Sequence, residues 1–159
     1  MKPAMKKLYD KNIDDFGNLE PDKIMGLTIY AEARGEIRAG RIAVGTVILE
    51  RVDHREWDGK TIEEVCLWPY QFSCYLPRDP NRIQLFRIAQ NFAFHYRQSL
   101  PLSQCADIAK GLIDGTIPRD PDLAAVHCCQ YLTTAAKKDV DWWKAMQFVK
   151  KIGAHEFYA

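Results

Sequence analysis

The segment Ile24-Met25-Gly26-Leu27-Thr28-Ile29-Tyr30-Ala31-Glu32-Ala33-Arg34-Gly35-Glu36 reads as the first strong helix of the 159-residue chain. At about 100° per residue, Ile24, Leu27, Thr28, Ala31 and Gly35 fall on one helical stripe, and Met25 and Ile29 widen it. Glu20-Pro21-Asp22 opens the helix, with proline at the first helical position and acids in the first turn. Gly35 marks its end. Glu32 projects between the directions of Thr28 and Met25, on the flank of the apolar arc. Burying that arc partly desolvates the carboxylate, which favours the neutral form and raises its pKa. A carboxylic acid protonated near neutral pH meets the requirement for a general acid. The competing reading sends Glu32 out to solvent or to an arginine, as for most helix glutamates. Glu36, at i+4, puts a second carboxylate on the same face. Two acids that close raise at least one pKa unless Arg34 or Arg38 neutralises them.

Downstream, Gly40-Arg41-Ile42-Ala43-Val44-Gly45-Thr46-Val47-Ile48-Leu49-Glu50-Arg51-Val52 is too long an apolar run for a typical strand and reads as a helix buried nearly all round. Gly45 inside it costs about 1 kcal/mol relative to alanine, so another backbone is expected to approach there. Asp53 to Lys60 reads as a polar loop containing Trp57. Thr61-Ile62-Glu63-Glu64 fits a capping box for a short helix that stops before Pro69. Trp68 to Pro77 reads as extended or looped. Asp79-Pro80 opens a helix running through about Gln98. Ser103 is expected to cap the next helix, which ends at Gly115. Leu123 to Thr134 fits helix or strand. Asp139 and Asp141 open an expected last helix with Trp142, Ala145, Met146 and Val149 on one face, closed by Lys150, Lys151 and Gly153. Residues 1–20 read as a short helix or a loose arm, and 21–159 as the main domain. The fold class expected is α+β, predominantly α, in one domain with a small strand and loop region.

Apolar residues at 47% and charged residues at 27% are ordinary for a globular domain. A formal charge of +1 provides no global field for nucleic acid. No apolar run reaches membrane-spanning length, and Met1-Lys2-Pro3-Ala4-Met5-Lys6-Lys7 lacks the apolar segment of a secretory signal. The expected chain is a cytoplasmically made monomer without stable membrane association. Five cysteines without C-x-x-C spacing read as reduced, buried thiols. A zinc site from His127, Cys128 and Cys129 is disfavoured because adjacent ligands lack the usual gap.

Tyr70-Gln71-Phe72-Ser73-Cys74-Tyr75 is a polar–aromatic loop whose Gln71, Phe72, Ser73 and Tyr75 suit sugar binding, by ring stacking and edge hydrogen bonds. An ordinary loop pinned by Phe72 fits equally well. His95, His127 and His155 are candidate bases, but no G-x-S-x-G elbow, H-E-x-x-H or phosphate loop accompanies them. Nothing in the spacing supports a Cys74–His127 nucleophile pair. One of Trp142 and Trp143 is core at most; the other is exposed or a sugar platform.

Ile29-Tyr30-Ala31-Glu32-Ala33-Arg34-Gly35-Glu36, the Gly40–Val52 block, Gln71-Phe72-Ser73-Cys74-Tyr75 and Ile152-Gly153-Ala154-His155-Glu156-Phe157-Tyr158, taken in order, resemble the SleB-type cell wall hydrolases, the family of the spore cortex-lytic enzyme. The resemblance spans about residues 22–158. It implies a lysozyme-like α+β fold acting on peptidoglycan glycan strands, as a lytic transglycosylase or muramidase, with no metal or other cofactor. The family's catalytic glutamate falls on Glu32. Tyr30, Glu36, Gln71, Phe72, Ser73, Tyr75, Tyr131 and His155 are the expected substrate-binding positions. The chain departs from the family at Glu50, where asparagine is usual, and at Ala124-Ala125-Val126-His127-Cys128-Cys129-Gln130-Tyr131. A leaderless catalytic domain suits a bacteriophage endolysin released through a holin. Two other classes remain: a zinc amidase, which needs a His/His/Asp or His/Cys ligand set, and a non-catalytic glycan-binding module.

Overall fold

The computed structural model describes residues 1–54 and 59–159. Eight helices in these residues run α1 (Pro3–Phe16), α2 (Pro21–Ala33), α3 (Arg38–His54), α4 (Ile62–Leu67), α5 (Pro80–Gln90), α6 (Phe92–Gln98), α7 (Leu100–Asp114) and α8 (Pro121–Ala125). A small sheet follows, from β1 (Gln130–Thr133), β2 (Phe148–Ile152) and β3 (His155–Tyr158). The predominantly α, α+β class expected from the sequence is the class observed.

The deciding segment is α2, and it is more enclosed than its stripe suggests. Every residue from Ile24 to Tyr30 is buried. It packs most extensively against α7, and Gly26 makes this possible: a Cβ there would stand 2.9 Å from the Ala106 Cα. The close backbone approach anticipated at Gly45 thus occurs at Gly26. Gly45 instead leaves room for the side chains of Leu112, Ile29 and Met25.

All-round burial of α3 has a structural cause, because the helix stands between two apolar clusters. Val44 and Ile48 join the helical core with α2, α4 and α7. Ala43 and Val47 pack with Leu123, Cys128 and Phe157 beneath the sheet. α1 is tied in by polar groups: Asn12 donates to the Leu67 carbonyl at 2.8 Å and accepts from Arg82 Nη1 at 2.7 Å. Arg82 also pairs with Asp15 and donates to the Tyr75 carbonyl.

Several expected boundaries shift. The Thr61 cap holds, accepting from the Glu64 N–H. The helix expected from Asp79 through Gln98 breaks at Asn91, whose φ of −148° and ψ of 62° are not helical. Ser99, not Ser103, caps α7 by accepting from the Leu102 N–H, and Pro101 fits its first turn. Gly115 closes α7 in the left-handed conformation, φ +81°. Leu123 to Thr134 is both things in turn, the end of α8 and then β1. Segment 55–58 of the expected polar loop, including Trp57, lies outside the described residues, while Asp53 and His54 belong to α3.

The largest correction concerns the expected last helix. Residues 142–145 form a 3-10 turn and Phe148–Ile152 are strand β2. β3 is buried at all four positions and lies in the middle of the antiparallel order β1-β3-β2. A helix at 139–151 would leave one side of β3 without partners for its buried peptide groups, a cost that outweighs a helical side-chain pattern. Ile152 pairs with His155 across a two-residue turn whose Gly153 takes φ +55°, the value a glycine-first hairpin turn requires.

Candidate active site

Glu32 sits in the last turn of α2, where the helix emerges from the core. Its Oε2 accepts a 2.9 Å hydrogen bond from the Tyr131 hydroxyl on β1. The Cys74 thiol offers a second hydrogen bond, Arg51 of α3 lies within electrostatic reach, and so does Asp79. Burial pushes the Glu32 pKa up and Asp79 adds to the rise; the Tyr131 bond, the Arg51 charge and Cys74 oppose it, and the net shift is upward. The site therefore holds a carboxyl group biased toward its protonated form, with a hydroxyl and a cation positioned to stabilise the anion it becomes.

The surroundings fix this arrangement. Tyr131 meets His155 edge-on with ring centroids 5.2 Å apart, and Phe157 at 5.6 Å. Arg51 donates from Nε to the Cys129 carbonyl at 2.8 Å and lies 5.0 Å over the Phe72 ring. Asp79 caps α5 by accepting from the Asn81 N–H at 2.8 Å. Burial drives the Cys74 thiol pKa well up, and neighbouring Glu32 raises it further. Cys74 is thus a poor nucleophile, and His127, the base of the unsupported thiol pair, bonds to Glu50.

The structure brings together Glu32, Tyr131 and His155. Glu36 stands apart from Glu32: it lies beyond the helix and accepts from the Ala154 N–H, at 3.3 Å through Oε1 and 3.4 Å through Oε2. A Cβ at Gly153 would collide with the Glu36 carboxylate. Burial of His155 lowers its pKa against the pull of Glu36, whose Oε1 is 3.7 Å from Nδ1, too far for a hydrogen bond. Glu36 therefore organises the β2–β3 turn, and burial rather than its charge is the main cause of the shift at Glu32.

The aromatic loop also divides. Phe72 and Tyr75 are buried, at 2% and 1% exposure, so neither presents a ring face to a sugar. The Tyr75 hydroxyl bonds the Thr28 hydroxyl at 2.9 Å and its ring meets Phe16 edge-on. Gln71 is half-buried and Ser73 exposed, so these two remain reachable. Tyr30, two residues before Glu32, is turned about 200° round the helix. Its hydroxyl accepts from Gln84 at 3.2 Å and its ring lies under Arg34.

Arg51, Cys74 and Asp79 are contributors that sequence reasoning did not assign to the site. An arginine late in a helix that reads as buried nearly all round was the available signal for Arg51. Cys74 and Asp79 carried none beyond their nearness to the Gln71–Tyr75 motif.

Residues 35–158 match the model of the cell wall hydrolase family. The chain belongs to that family. The matched region starts three residues after Glu32 and includes Arg51, Cys74, Tyr131 and His155. Among solved structures, the chain is similar to the catalytic domain of the germination-specific lytic transglycosylase SleB from Bacillus anthracis. That match has 22% identity, covers 87% of this chain and 93% of that one, and gives a TM-score of 0.63. The catalytic domain of the Bacillus cereus SleB protein matches at 22% identity, with 87% and 89% covered and a TM-score of 0.57. The cell wall hydrolase domain thus has the fold of SleB catalytic domains. No curated protein matches the chain.

Proposed function

We propose that this cell wall hydrolase cleaves the glycosidic bond between N-acetylmuramic acid and N-acetylglucosamine as a lytic transglycosylase, with Glu32 as its single acid and base. The observation that carries the reading is the desolvated Glu32 carboxyl under the Tyr131 hydroxyl. Protonated, Glu32 gives its proton to the glycosidic oxygen as the bond to muramic C1 breaks and an oxocarbenium-like centre develops. The carboxylate left behind is stabilised by Tyr131 and by the Arg51 charge. It then takes the proton from the muramic C6 hydroxyl, whose oxygen closes on C1 to form a 1,6-anhydro ring. One carboxyl group serves both steps. Gln71 and Ser73 are the proposed glycan contacts from the aromatic loop, and His155 supports Tyr131.

A hydrolytic outcome is favoured by one observation, the electrostatic reach of Asp79 to Glu32. Hydrolysis normally uses a second carboxylate to activate water or to form a covalent intermediate. Against it, Asp79 is engaged at the α5 cap. Mass spectrometry of products from purified sacculi separates the outcomes: 1,6-anhydro ends support transglycosylation, reducing ends support hydrolysis, and freed stem peptides refute both. Glu32→Gln keeps the shape of the side chain and removes the transferable proton. Lysis is expected to fall by roughly 100- to 10,000-fold, the range a general acid contributes. Undiminished lysis refutes the assignment.

A further inference from the structure

The geometry points to a zinc-binding site formed by Glu50, His54 and His127, apart from the glutamate chemistry, that clamps the end of α3 to the loop entering β1. Glu50 and His54 are one helical turn apart, an i, i+4 spacing that puts both on one face of α3. His127 comes from the loop between α8 and β1, where it adopts φ +50°, an uncommon conformation for a non-glycine residue. That backbone turns its ring onto the helix. His127 Nδ1 stands 3.1 Å from Glu50 Oε2, and His54 Nε2 stands 3.4 Å from the same oxygen. The two imidazole rings lie with centroids 3.8 Å apart and planes tilted by 35°. One ligand atom from each residue falls within a span of 4.8 Å.

These separations suit a metal. Tetrahedral zinc with bonds of about 2.0–2.1 Å separates its ligand atoms by about 3.3 Å, so small shifts of three side chains suffice. Two imidazoles and one carboxylate favour zinc over magnesium or calcium, which take oxygen ligands. The carboxylate is oriented from behind: Arg119 Nη1 holds Glu50 Oε1 at 2.7 Å and leaves Oε2 facing the histidines. Arg119 also pairs with Asp53 at 2.7 Å, which offsets its charge beside an incoming cation. Such outer partners fix the direction of a metal-binding carboxylate. Glu50 is 2% exposed, whereas the His54 and His127 side chains are 40% and 59% exposed, so the ion has access from solvent. The last turn of a helix also favours positive charge.

The site replaces the disfavoured His127/Cys128/Cys129 set. Cys128 Sγ points away, toward the Gln130 and Tyr158 carbonyls. Its consequence is positional: the clamped loop leads directly into the strand that presents Tyr131 to Glu32.

The test is a titration of the metal-free full-length chain with zinc sulfate, followed by calorimetry and by metal analysis after gel filtration. One equivalent per chain is expected, with a zinc-dependent rise in Tm. His54→Ala and His127→Ala should each weaken binding by more than the roughly 10- to 100-fold that loss of an outer partner costs. Cys129→Ser should bind as the parent does. Circular dichroism of the metal-free variants verifies folding, and exposed His54 is the safer substitution. Cobalt(II) substituted for zinc should show ligand-field bands without a thiolate charge-transfer band. Failure of the parent to retain an equivalent of zinc overturns the proposal. So does binding that survives both histidine substitutions or is lost only in Cys129→Ser.

Discussion

Replacing Tyr131 by phenylalanine removes the 2.9 Å hydrogen bond to Glu32 Oε2 and leaves the ring packed against His155 and Phe157. The hydroxyl donates, so it stabilises the carboxylate and holds the Glu32 pKa below the value that burial alone would impose. A hydrogen bond to a charged group contributes about 1.5–3 kcal/mol. Its loss therefore raises the Glu32 pKa further. A general acid works while protonated, and its activity declines as pH rises through its pKa. The alkaline limb of kcat/KM in Tyr131→Phe should therefore move upward. The plateau should fall at the same time, because the developing carboxylate has lost a stabilising partner. The assay is clearing of purified sacculi across pH, with parent and variant at matched folded concentration. An alkaline limb that stays in place or moves downward refutes the role given to the Tyr131 hydroxyl.

Two further predictions concern the scaffold. Gly26→Ala forces a Cβ against the Ala106 backbone, which cannot rotate away as a side chain can, so we expect a loss of about 1–3 kcal/mol in chemical denaturation despite the gain in helix propensity. Glu156 is held to a pKa of about 2 by the hydrogen bonds from Lys137 and Tyr158, below its ordinary 4.5. Its contribution is fully present above the unfolded value and disappears as pH falls through about 2. The stability gap between the parent and Glu156→Gln should thus be constant above about pH 5 and shrink between about pH 4.5 and 2. A gap that widens on acidification contradicts this.

What the sequence disclosed was mainly local. Pro21 and Thr61 start helices through their own backbone and side-chain chemistry, and α3 was legible because a long apolar run has few other solutions. Where the outcome depended on distant partners, local reading failed. Trp142, Ala145, Met146 and Val149 satisfy a helical period, yet the neighbouring β3 requires a strand there. Ser103 looked like a cap only because Pro101 was not recognised as lying inside the first turn. The site shows the same division. Glu32 was visible from the helical wheel, and the family's C-terminal block extended the reading to His155, whereas Tyr131 lies in a stretch that departs from the family pattern. Phe72 and Tyr75 looked like sugar platforms because composition does not show which way a loop side chain turns. Glu36 appeared to share a face with Glu32 because i+4 spacing was extended past the true end of the helix.

The central claim is that Glu32 keeps its proton more tightly than an ordinary glutamate. A carbon-detected NMR titration of the Glu32 carboxyl, assigned by comparison with Glu32→Gln, measures this directly. The account predicts a midpoint above the ordinary glutamate value of 4.5. A midpoint at or below that value would contradict it.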